Sequence, residues 1–111
     1  MSEYTPDKWL IVTISGYDPH YRVFATWSGG YLDGDSWKMN SGITSVTEDD
    51  YYYYFKGSSG SVYNCRKTSY GSNGYGLSVI NNFIKQSEKD GVFIIEIMGE
   101  DFDVMNTDWI I

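Results

Sequence analysis

Four Trp, eleven Tyr and five Phe occur in a chain of 111 residues, mostly in short alternating runs punctuated by Gly, Ser and Asn. A ring at every second position lines one face of a strand, and aromatic and β-branched side chains are those that pack best on a pleated surface. This density predicts a small, aromatic-rich β sheet, and the surface such a sheet displays is the part expected to be used.

The strands can be placed in order. Trp9 to Ile14 is a continuous apolar run, β-branched enough to be buried on both faces. Gly16-Tyr17-Asp18-Pro19 supplies turn chemistry. His20 to Trp27 then alternates, with Tyr21, Val23, Ala25 and Trp27 on one face and Arg22, Phe24 and Thr26 on the other, so this pair reads as a hairpin. After breaks at Ser28-Gly29-Gly30 and Asp33-Gly34-Asp35, residues Trp37 to Thr47 read as a third strand bent at Ser41-Gly42. Tyr51 to Phe55 is a fourth and Ser61 to Arg66 a fifth. The period then changes. Leu77, Ile80, Phe83 and Ile84 share a helical face, with a start between Ser72 and Gly76 and a glycine cap at Gly91 after Lys85 and Lys89. Val92 to Met98 is a final strand. The expected fold is α+β: a five- to six-stranded, mainly antiparallel meander with one helix packed on it through Leu77, Ile80, Phe83 and Ile84 against Ile11, Val23 and Ile95.

The length fits one domain over residues 1–111, with an acidic C-terminal segment over 99–111. No apolar run is long enough for a membrane span. The N-terminal residues lack a basic stretch followed by an apolar one, and the single Cys65 fits a reducing compartment, so a cytoplasmic protein is expected. Net charge is −7, and Glu88 to Ile111 contributes −6 of it: Glu88, Asp90, Glu96, Glu100, Asp101, Asp103 and Asp108 against Lys89 alone. In that segment the acids alternate with Phe102, Val104, Met105, Trp109, Ile110 and Ile111. It therefore offers contact area as well as charge, more than a solubilising tail needs.

Recognisable catalytic chemistry is thin. Cys65 and His20 are the one thiol and the one imidazole, and nothing in their spacing makes a nucleophile–base pair. Asp33-Gly34-Asp35 has its glycine out of place for a calcium loop and lacks the closing Glu. Gly71-Ser-Asn-Gly74-Tyr-Gly76 precedes a helix but has no Gly-Lys-Ser/Thr, so it reads as a permissive lead-in rather than a phosphate cradle. Eight basic residues against fifteen acids disfavour direct nucleic-acid binding, which needs a cationic groove. No metal or cofactor is expected. Trp27, Tyr31 and Trp37 could pack against a sugar, although the same rings could equally be core.

The run Trp27-Ser-Gly-Gly-Tyr31-Leu-Asp-Gly-Asp35-Ser-Trp37-Lys-Met-Asn-Ser-Gly-Ile43, with Gly60-Ser-Val-Tyr-Asn-Cys65, resembles small accessory proteins of phages that infect enteric bacteria. The resemblance covers roughly half the chain. It implies a protein that acts in the host cytoplasm by binding and disabling a host protein. The leading expectation is thus a non-enzymatic inhibitor of a basic host protein, in anti-phage defence or nucleic-acid processing. Glu100, Asp101, Asp103 and Asp108 would meet Lys or Arg, and Phe102 and Trp109 would serve as buried anchors. The alternative is a module that sequesters a small ligand or nucleotide by aromatic stacking, using Trp27, Tyr31 and Trp37 with Gly74 and Tyr75 of the glycine-rich loop. Monomer and homodimer both remain open.

Overall fold

The fold was analysed in a computed structural model of the chain, which describes residues 2–16, 19–29, 34–99 and 101–109. The expected turn residues Tyr17, Asp18, Gly30 and Asp33 lie outside the described residues, as do Ile110 and Ile111. The described chain is α+β, with eight strands and one helix: β1 (Glu3–Tyr4), β2 (Lys8–Gly16), β3 (His20–Trp27), β4 (Ser36–Met39), β5 (Ile43–Glu48), β6 (Tyr52–Gly57), β7 (Val62–Arg66), α1 (Gly74–Asp90) and β8 (Phe93–Ile97).

The strands form two four-stranded sheets rather than one sheet of five or six, in the orders β1-β7-β6-β5 and β4-β3-β2-β8. Pairing is antiparallel throughout except for β1, which runs parallel to β7 with Glu3 opposite Val62. The expected third strand is two. β4 pairs with β3, and β5 pairs with β6 in the other sheet, so the chain changes sheets at Asn40-Ser41-Gly42. Asn40 completes the last rung before it leaves. Its N–H donates to Val23 O at 3.1 Å, and its side-chain Oδ1 accepts from Val23 N at 2.9 Å.

The β2–β3 hairpin has the expected boundaries for β3 and the expected alternation, and its two faces serve two cores. Trp9, Ile11, Val23 and Ala25 face the other sheet and meet Ile43, Phe55, Tyr63 and Cys65. Leu10, Val12 and Phe24 face the opposite way and meet Ile80 and Ile95. The molecule is therefore layered as helix, sheet, sheet. Helix contacts run to Leu10, Val12, Phe24 and Ile95, and not to Ile11 and Val23, which belong to the core between the sheets.

Local signals fix the helix. Asn73 Oδ1 accepts from Gly76 N at 2.7 Å as the N-cap, while its Nδ2 donates to Trp27 O at 3.2 Å and ties the helix start to the end of β3. Gly91 ends the helix in the left-handed region, φ 71°, and its N–H donates to Ser87 O, a glycine C-cap. Gly76 is required for another reason. A Cβ there would lie 2.3 Å from Thr26 Cγ2 and 2.2 Å from Ser72 Oγ, so the bare backbone is what lets the first turn sit on the sheet. Leu77, expected on the buried face, is 43% exposed.

The segment after β8 returns across the outside of the inter-sheet core. Val104 and Trp109 are buried in that core. Trp109 packs edge-to-face on Tyr21 and Phe55, with centroids at 5.0 and 5.5 Å, and its Nε1 donates to Val104 O at 3.0 Å.

Candidate functional site

Alternation along the hairpin brings Ile14, His20 and Arg22 to the helix-bearing face, and ladder partners add the rest. Ile14 stands opposite His20 and Ile95, Gly16 opposite Phe93, and Phe24 opposite Met39. The helix packs chiefly on β8 and barely reaches β4, so it leaves part of this face, around Ile14 and His20, without helical cover. There the surface opens into a pocket of about 540 Å³, within the range of small-ligand sites.

The walls are mostly apolar. Ile14, Met39 and Ile95 form the sheet side, Phe83 the helix side, and Trp37, Val92 and Phe93 the rest. Trp37 is stacked over Phe24, centroids 5.6 Å and planes 20° apart, and edge-on to Phe83 at 5.4 Å. Two aromatic contacts hold the indole in place, yet 36% of it remains exposed. Among the described lining residues the polar groups are Ser15, His20 and Arg22. Arg22 Nε donates to His20 Nε2 at 2.8 Å, which places that imidazole's accepting lone pair on Nε2. Both side chains are half-buried.

The expected ligand-binding residues are only partly brought together. Trp37 lines the pocket. Trp27 points to the opposite face of the sheet, where its Nε1 donates to Thr5 O at 3.0 Å. Gly74 and the exposed Tyr75 stand at the helix start, outside the pocket lining, and Tyr31 lies outside the described residues. Phe83, Phe93 and Arg22 were absent from the expected set. Arg22 had a visible signal, as a charge on the inward face of an otherwise apolar strand.

The expected partner-binding residues also divide. Asp101, Asp103 and Asp108 are exposed. Asp103 organises its own turn, accepting from Asn106 N at 3.3 Å and Asn106 Nδ2 at 2.5 Å. Glu100 lies outside the described residues. Trp109 is 7% exposed, and Phe102 packs half-buried on Tyr70 and Trp109. Both rings pack on the protein's own core, Trp109 buried and Phe102 in part.

Cys65 and His20 are not brought together. Cys65 is enclosed between the sheets, where burial pushes its thiol well above the usual range, and His20 sits at the pocket. Among the described residues no cluster of three or more His, Cys, Asp or Glu could hold a metal ion, and no helix is long and apolar enough to cross a membrane. Comparisons with protein-family models, with curated proteins and with solved structures found no match to this chain.

Proposed function

We propose that the chain is a non-enzymatic binding module that takes a small ligand with an apolar, ring-bearing body into the pocket beside Trp37. The observation that carries this reading is the pocket itself: about 540 Å³ walled by Trp37, Phe83, Phe93 and aliphatic side chains. Covering Trp37 and Phe93 would bury apolar surface, and ring-on-ring contacts add to that gain. The neutral fluorophore phenylnaphthylamine tests the reading without involving charge. Saturable binding with enhanced emission is expected, weakened about tenfold in Trp37→Ala, with melting temperature followed in parallel to show that the variant is folded. Absence of saturable binding to the wild-type chain would overturn it.

A second reading keeps the acidic surface. Asp101, Asp103 and Asp108 are exposed, and β8, at the edge of its sheet, presents Ile94 at 50% exposure beside Glu96, with Val92 just before the strand at 66%. Charge there would steer a basic partner, and the open edge could hold it by adding a strand. In this reading the protein inhibits a basic host protein in the host cytoplasm, as the resemblance to phage accessory proteins implies. Neutralising Asp101, Asp103 and Asp108 to Asn should then slow association with that partner and flatten its salt dependence. Unchanged association of the folded triple variant would exclude it.

A further inference from the structure

We infer that the pocket selects for an anion, and that its ligand is an aromatic carboxylate whose acid group meets Arg22. The inference rests on the small-ligand reading and adds a head group to it.

Arg22 occupies an unusual position for this chain. Acids outnumber bases fifteen to eight, so an arginine would be expected to find a carboxylate. Among the described residues the ion pair seen is Lys67 with Glu48, at 3.2 Å; Arg22 has no carboxylate partner there. It stands instead on the helix-bearing face of β3, opposite Val12 in the ladder, and contributes to a pocket in which no acidic side chain occurs among the described lining residues. A half-buried cation beside apolar walls loses part of its hydration, and an oxyanion is the group that compensates it best.

The hydrogen bond to His20 shapes what Arg22 can offer. Guanidinium has five N–H donors in a planar fork, and here Nε–H is spent on His20 Nε2 at 2.8 Å. The side-on approach that uses Nε with one terminal nitrogen is thereby closed. The end-on approach remains, in which both terminal nitrogens donate in parallel to the two oxygens of one carboxylate. His20 accepts through a ring nitrogen and brings no negative charge, so it orients the guanidinium without cancelling its charge. Ser15 is uncharged and so does not rival Arg22 for an anion.

The body of the ligand follows from the remaining walls. Trp37 and Phe83 stand edge to face, and Phe93 joins them at the same pocket. A flat ring system fits between such surfaces better than a branched aliphatic one, and a planar acid attached to it would lie within the reach of Arg22.

Three probes with one body and different heads test this: naphthoate, naphthalenemethanol and naphthylmethylamine, titrated calorimetrically into the full chain. Naphthoate is expected to bind at least about tenfold tighter than the alcohol, with the amine weakest and the acid's advantage shrinking as salt rises. Arg22→Met should abolish the preference, so that naphthoate binds no tighter than the alcohol. Arg22→Lys, which keeps the charge but loses the planar pair, should retain part of the preference. Equal binding of acid and alcohol by the wild type would overturn the inference while leaving the pocket reading intact, as would an undiminished acid preference in folded Arg22→Met. If none of the three binds, the pocket reading falls and the inference falls with it.

Discussion

Ile80 and Leu77 are three residues apart on one helix, and the solvent treats them differently. Ile80 is fully buried against Leu10, Val12, Phe24 and Ile95, whereas Leu77 is largely exposed. Ile80→Ala is expected to cost about 2–5 kcal/mol. Leu77→Ala should stay within about 0.5 kcal/mol of wild type, and urea unfolding midpoints compare the two directly. The apolar spacing was legible in the sequence, but its axis was not. The fully buried helical positions are Gly76, Ile80 and Ser87, so the centre of the buried stripe passes through two residues that no hydrophobic pattern counts. Read from large side chains alone, the stripe rotates toward Leu77. The same limit hid Phe83 and Phe93 as pocket walls, since half-covered rings look like core in a linear pattern.

Among the elements, the hairpin was the most legible and the β4–β5 connection the least. Clean alternation in β3, next to the turn chemistry of Gly16-Tyr17-Asp18-Pro19, leaves the hairpin one sensible register. A run such as Trp37 to Thr47 has strand character throughout, and local sequence does not say which sheet edge captures each half. The switch is set by long-range pairing, and Asn40 marks it. Its amide is 3% exposed and accepts the Val23 N–H. Asn40→Ala would strip a buried donor of its partner, at an expected cost of about 1–3 kcal/mol. Hydrogen exchange at Val23 should accelerate more than at Phe55 if the loss is local to that rung. The parallel β1 strand was missed for a related reason: two residues held by pairing with Val62 and Tyr63 carry no periodicity to read.

At the scale of the whole molecule, one sheet is covered on both faces, and the residues that close the inter-sheet core come from distant parts of the chain. Tyr70 shows the same stitching. Its hydroxyl accepts from Ile11 N at 3.1 Å and donates to Met98 O at 2.6 Å, while its ring stands edge-on to Trp9 at 4.8 Å. Trp109→Ala is expected to cost about 3–5 kcal/mol and to lower the melting temperature accordingly. An unaltered melting temperature would show that the C-terminal segment is not part of the core. Alkali gives an independent check on that core. Burial chiefly, and the nearby Tyr4 and Cys65 in addition, push the Tyr63 phenol from its ordinary 10.0 up to about 12. The folded state thus holds the proton more tightly than the unfolded one. Its contribution to stability should be intact below pH 10 and should decline as pH rises from there through about 12; urea midpoints across that window measure it, and Tyr63→Phe should flatten this part of the profile.

The burial of Trp109 also bears on biosynthesis. A ribosome delivers the chain from the N-terminus, and it can release β1 to β7 while the last aromatic of their shared interior is still inside the exit tunnel. Until residue 109 emerges, Tyr21 and Phe55 lack the indole that packs against both of them. The nascent chain would therefore hold an unsealed apolar interior late into translation, available to chaperones that recognise such surfaces. Stalled chains ending shortly before residue 109 should be more sensitive to protease than chains extended far enough to free it.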